Sequence, residues 1–362
     1  MNNLSKEILK SVLTLPTMSF HETAVSTFVK WYSLGLNLEV KEDRAGNLLV
    51  KYSGGGKNNV TFAAHMDHPG FEIISSKGNK GIAALWGKVD PKTFSGSKVI
   101  VYSEGGPLKA KIGEKTLSKK HLGRFCFECV AKGKISKGDF GHYDLPAVQF
   151  QEDLIKTRAA DNLVSVAAIL ELMTHIVNKK EKVNVSGLFT RGEEAGFLGA
   201  FAAMESNFIP KKDPLIVLEC SSAKGGCVEI GQGPAIRVGD LHSTFDPNIE
   251  VWLSNVASDL KSKEKHFVYQ RALLQGGRCE ACVYFAEGYI TGGIAMPLGN
   301  YHNHGERGYA PEYVSIRDYQ NLITFMHAIA KSPMPKNPIQ SKTAPIWKHY
   351  KELKKKLLTT SN

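Results

Sequence analysis

The run Val183-Asn184-Val185-Ser186-Gly187-Leu188-Phe189-Thr190 passes directly into Arg191-Gly192-Glu193-Glu194-Ala195-Gly196. Its first half is short, apolar and β-branched, the signature of a buried strand. Two adjacent carboxylates at the end of such a strand repel, and each raises the other's pKa unless a cation intervenes. Neighbouring strand side chains point to opposite faces, so both reach one pocket only where the chain turns. Gly192 and Gly196 permit that turn. One carboxylate can then ligate a metal while its neighbour takes a proton from a metal-bound water.

Outward from this segment the pattern repeats. Val60-Thr61-Phe62-Ala63-Ala64 reads as a buried strand delivering His65, and Leu215-Ile216-Val217-Leu218 as another delivering Glu219. Residues 161–178 carry Leu163, Val166, Ala167, Leu170 and Met173 on one helical stripe. Residues 38–52 alternate around Gly46-Asn47, a hairpin signal, and a helix is expected from Ala195. Alternating strands and helices predict an α/β fold: a mixed, mostly parallel sheet sandwiched by helices. In such sheets ligands bind beyond the carboxyl ends of the strands, where His65, Glu193, Glu194, Glu219 and His302 all fall.

Between residues 73 and 151 the texture changes to short alternating runs between glycines and prolines, which predicts an inserted small all-β domain. Residues 1–72 and 152–335 then form the host domain, and 336–362 a basic extension. That extension is expected to be a helix with Trp347, Tyr350, Leu353 and Leu357 on one side. The chain carries 42% hydrophobic and 22% charged residues and a net charge of +11. Its lysines are dispersed apart from a C-terminal cluster, which argues against nucleic acid as a partner. No run is read as long enough in apolar residues to span a bilayer. Residues 1–15 suggest an amphipathic helix rather than a signal peptide, so a cytoplasmic location is expected. Cys126/Cys129 and Cys279/Cys282 are too far apart for a zinc ribbon, and buried reduced thiols are expected.

The remaining candidates are ambiguous singly. In His65-Met66-Asp67 the carboxylate can accept one imidazole N–H, freeing the other nitrogen for metal; a hydrogen-bonded surface pair reads the same. Asp161 opens a helix and alone reads as an N-cap. Glu219 needs a metal or an arginine partner to be buried. His302-Asn303-His304-Gly305-Glu306 offers two histidines. One histidine and an acidic residue on each of two metals, with a shared aspartate, suit zinc, cobalt or manganese.

Together these segments resemble the tetrahedral aminopeptidase family, dinuclear metallopeptidases of glutamyl and leucyl type. His65 to Phe71 resembles its first-ligand motif, Asp161-Asn162 its bridging aspartate, Thr190 to Ala200 its base-plus-ligand segment, and His302 with Glu306 its last motif. Asp43 to Leu48 also fits. The resemblance implies two divalent ions bridged by Asp161, with His65 and Glu219 completing one site and Glu194 and His302 the other. It implies Asp67 as the group orienting His65 and Glu193 as the general base acting on a metal-bridging water. It further implies an aminopeptidase acting on short peptides, and homo-oligomers. The chain departs from the family at Glu219, where aspartate is usual, at His68-Pro69, and at Cys279-Glu280; His304 beside His302 is a second histidine to weigh. A deacylase of the same clan and a non-catalytic homologue are the competing expectations.

Overall fold

Apolar β-branched runs separated by helices fold here into a layered α/β body; the structure is a computed structural model that describes residues 1–57, 59–118, 120–274 and 276–360. The chain opens with α1 (Asn3–Leu13), α2 (Thr23–Gly35) and the hairpin β1 (Glu39–Glu42) to β2 (Leu48–Ser53), then β3 (Asn59–His65). Strands β4 (Gly70–Lys77), β5 (Lys80–Trp86), β6 (Lys98–Ser103), β7 (Gly106–Thr116), β8 (Cys126–Ala131) and β9 (Phe140–Tyr143) follow. After β10 (Val148–Gln151) and β11 (Leu154–Thr157) come α3 (Ala160–Asn178), β12 (Asn184–Thr190), α4 (Leu198–Glu205) and β13 (Leu215–Ser222). The rest comprises β14 (Ala235–Gly239), α5 (Pro247–Lys263), β15 (Gln270–Leu273), α6 (Glu280–Ala286), β16 (Thr291–Leu298), α7 (Ile316–Lys331) and α8 (Pro338–Thr359).

The central sheet has the order β1-β2-β12-β3-β13-β16-β14-β15. Its middle four strands are parallel, so their carboxyl ends share one edge. Strand side chains alternate between the two helical layers. Phe62 and Ala64 pack with α1, α3 and α7 in one core, while Ala63, Leu188 and Val217 pack with α4 and α6 in another. The register sets Thr190 opposite His65 and Val217 opposite Ala63. Glu219, two residues beyond Val217, is therefore level with His65.

Strands β4, β5, β8, β7, β6 and β9 close a barrel around Phe71, Phe94, Val99 and Phe127. Residues 148–151 lie outside the barrel: β10 pairs with β11, which pairs with Glu312–Ser315.

Three local readings are revised. By length and hydropathy α3 could cross a membrane, but 89% of that window is buried as the core helix. Asp161 is not its N-cap, since Asp161 and Asn162 both have non-helical backbone angles. The helix expected at Ala195 starts at Leu198, because Gly196 and Phe197 have φ of +121° and +59°. The cysteines are all free; five are buried, and Cys227 is exposed. On α8 the apolar side chains Trp347, Tyr350, Leu353 and Leu357 are exposed.

Candidate metal centre

Parallel strand ends deliver the side chains. His65 ends β3, Glu219 lies in β13, and Glu193 and Glu194 follow β12. His302 comes from the turn after β16, at a left-handed φ of 53°. Asp161 lies between them and is buried. Its two carboxylate oxygens face different histidines: Oδ1 is 3.3 Å from His65 Nε2, and Oδ2 is 3.7 Å from His302 Nε2. On the first side Glu219 Oε1 is 3.4 Å from His65 Nε2. On the second, Glu194 Oε1 is 2.9 Å from His302 Nε2. Two three-residue groups therefore share Asp161: His65–Asp161–Glu219 and Asp161–Glu194–His302.

These groups fit divalent cations. A tetrahedral zinc with bonds of about 2.0–2.1 Å separates its ligand atoms by roughly 3.3 Å, the spacing found on the His65 side. Asp161 Oδ1 and His302 Nε2 are buried with no hydrogen-bond partner among the described residues, so each has a lone pair to give. The charge balance points the same way. Asp67, Asp161, Glu193, Glu194 and Glu219 crowd one buried site, which requires compensating positive charge. Burial opposes protonation of His65, yet the charges of Glu193 and Glu219 outweigh it and raise its pKa well above the imidazole range. His302 is raised likewise, with burial outweighed by Glu194 and Asp161. Without cations, protons on the two rings would carry that charge. Burial, and then the charge of Asp161, pushes Glu219 up to about 7. Burial and the neighbouring carboxylates Glu194 and Glu219 raise Glu193 well above its ordinary value, although His65 opposes them.

The surrounding polar groups fix the geometry. Asp67 was expected to orient His65, but His65 Nδ1 lies nearer the Asp67 main-chain oxygen (3.1 Å) than its carboxylate (3.5 Å). The Asp67 carboxylate also accepts the amides of Glu193 and Glu194 at 3.0 Å each and the Ser19 hydroxyl at 2.6 Å. Glu22 takes the Arg191 guanidinium at 2.8 Å and the Gly192 amide at 3.0 Å, bracing the same turn. Asn47, from the Asp43–Asn47 segment, accepts the Arg191 amide. His302 Nδ1 bonds the Lys88 carbonyl, so the barrel side of the molecule holds this ring. His304 instead accepts the Asp90 amide through Nε2 and stays outside both groups. Glu306, whose spacing suggested His302, is exposed.

Several residues were missed in the sequence. Glu312 is fully buried and accepts the Asp161 amide at 3.0 Å and the His302 amide at 2.8 Å. His68 bridges the Asp161 carbonyl and the Asn303 side chain. Glu280 accepts the Thr190 hydroxyl and is pushed up to about 7 by burial. Arg237 is buried and borders the same cavity of about 320 Å³ as Asp161, Glu193, Glu194 and Glu219, with Lys224 and Arg278 also lining it. A cation inside the apolar run Ala235-Ile236-Arg237-Val238 was the available cue.

Residues 127–325 match the family model of the M42 glutamyl aminopeptidases. The chain belongs to this family. As an M42 member it is a peptide hydrolase of a metal-dependent aminopeptidase lineage. Solved structures share the fold of this M42 chain. A TET aminopeptidase from a marine sediment archaeon of the Thaumarchaeota is 20% identical with a TM-score of 0.78, over 90% of this chain and 96% of that one. An aminopeptidase from Desulfurococcus kamchatkensis is 23% identical with a TM-score of 0.74, over 92% and 95%. The Pyrococcus horikoshii TET1 peptidase, which can assemble into a tetrahedron or a large octahedral shell, is 21% identical with a TM-score of 0.73, over 90% and 99%.

Proposed function

We propose that this protein is a dinuclear aminopeptidase that removes N-terminal residues from short peptides. The observation that carries the reading is Asp161, whose two oxygens each face a separate histidine–glutamate pair. His65 and Glu219 would hold one ion, Glu194 and His302 the other, and Asp161 both. Zinc fits the mixed nitrogen and oxygen donors, as do cobalt and manganese. When bound, the pair of ions would polarise the scissile carbonyl and acidify the attacking water.

Of the five crowded carboxylates, Asp67 and Glu193 lie outside the two groups; Asp67 is taken up by two amides and the Ser19 hydroxyl, which leaves Glu193, buried beside them. It takes the proton of the attacking water and returns it to the leaving amine. Burial raises its pKa, which makes it a better proton acceptor than an exposed carboxylate. Asp67 holds Glu193 in place through the backbone amide. The cavity beside the carboxylates receives the N-terminal residue. Arg237, whose Nε has no partner among the described residues, with Lys224 and Arg278 gives it a cationic lining that favours an acidic side chain.

The self-assembling TET1 relative supports a homo-oligomer here, and a cytoplasmic location is consistent with the free cysteines. A panel of aminoacyl-arylamides, free and N-acetylated, tests the proposal. Hydrolysis of free amines alone, lost with chelator, is expected; turnover of acetylated substrates would make the protein a deacylase.

A further inference from the structure

A second set of metal-type side chains lies at the far end of α3. His175 in its last turn, Glu181 in the connection to β12 and His327 on α7 bring one ligand atom each to within 4.8 Å of one another. His175 is 14 residues after Asp161, about 20 Å away along a helix rising 1.5 Å per residue. The site is therefore separate from the centre described above. The two imidazole rings meet edge to face with centroids 4.8 Å apart. His327 Nε2 is 3.3 Å from Glu181 Oε1, yet it is buried with no hydrogen-bond partner of good geometry among the described residues. The carboxylate is shared with Lys331 at 2.9 Å.

We propose that His175, Glu181 and His327 form a further divalent transition-metal site that clamps α3 to α7. Two imidazoles and one carboxylate match zinc or copper and leave one position for water. Burial first, then Lys179 at His175 and Lys331 at His327, lowers both pKa values, so the rings are neutral and their lone pairs free at pH 7. Both lysines act on the ligand cluster through their charge, and Glu181 is its one carboxylate among the described residues. The α3 carboxyl terminus adds a favourable negative dipole. Lys331 is the competitor: its side chain is 46% exposed, so its ammonium can swing into water when a cation takes Glu181.

Equilibrium dialysis of the full chain against zinc, with metal counted per chain, tests this. The unaltered protein should bind one equivalent more than the His175→Ala/His327→Ala variant. Removing the competing ammonium with Lys331→Met should tighten that extra equivalent by about 2- to 5-fold, the scale of an exposed ion pair. Zinc should also raise the melting temperature more in the unaltered chain than in the double variant. Equal metal content, or no tightening in Lys331→Met, would overturn the site. If the double variant fails to fold, Cu²⁺ EPR of the unaltered protein loaded with only two equivalents of zinc decides. Coupling of one copper to two imidazole nitrogens supports the site, and its absence removes it.

Discussion

Asp67 accepts the main-chain N–H of Glu193 at 3.0 Å, so the residue expected to orient a histidine also fixes the segment carrying the proposed base. The same carboxylate also holds the Glu194 amide and the Ser19 hydroxyl. Asp67→Asn substitutes an N–H₂ donor for one of these acceptors, where only donors face it. Activity should fall by about 10- to 100-fold with both ions retained, as for other residues supporting a metal site. Steady-state kinetics beside metal analysis checks this; an unchanged kcat would mean that the turn holds itself.

Glu312 performs a parallel task for Asp161 and His302. Glu312→Ala leaves two buried amides unpaired, at about 1–3 kcal/mol each. Denaturant unfolding of the metal-free protein should register a loss of that order, with Glu312→Gln intermediate. A loss below about 0.5 kcal/mol would show that water replaces the carboxylate.

The two histidines of the last motif make different bonds. His302→Ala should cost one ion per chain. His304→Ala, which removes only the acceptor of the Asp90 amide, should leave metal content unchanged. Glu219→Ala should also lose one ion, from the His65 side. Mass-spectrometric metal counting decides, and metal loss in His304→Ala alone would exchange the two roles.

The metal-free site also has a pH signature. Glu219 and Glu280 titrate near 7 when folded against an ordinary value of 4.5. A raised carboxyl pKa means that the folded state holds its proton more tightly than the unfolded chain. The associated stability is complete below about pH 4.5 and is lost as pH rises through 7. A cation replaces the proton on Glu219, so the gain in melting temperature on adding zinc should grow from pH 5 to pH 8. A flat difference between chelated and loaded protein would contradict this balance.

Arg237 sets the expected preference. Arg237→Met should lower kcat/KM for an N-terminal glutamate by roughly 10- to 100-fold, the scale of a hydrogen bond to a charged group. Neutral residues should be little affected. Parallel loss on both substrate classes would assign Arg237 to holding Glu219 rather than to the substrate.

Much of this was legible where chemistry sits at the end of an apolar run. β3 ending in His65, β12 leading into Glu193-Glu194 and β13 carrying Glu219 are local patterns, and the parallel register does the rest. The inserted barrel could be read from its alternating strands. What was hidden depends on distance in sequence: Asp67 bonds amides 126 and 127 residues away, and Glu312 bonds one 151 residues away. Asp161 looked like an N-cap because a carboxylate before a helix usually is one; here its backbone leaves the helix to reach both groups. Glu306 offered tidy spacing but faces solvent, while Glu312, six residues later, makes the buried bonds.

The central claim, two ions with Glu193 as the separate base, is tested most directly by Glu193→Gln, which preserves size and removes the proton acceptor. Metal content and kcat on a free aminoacyl-arylamide should be measured on the same preparation. The metal content of the unaltered protein, with kcat reduced by about 10²- to 10⁴-fold, is the predicted result. Loss of an ion, or undiminished turnover with both ions present, would contradict it.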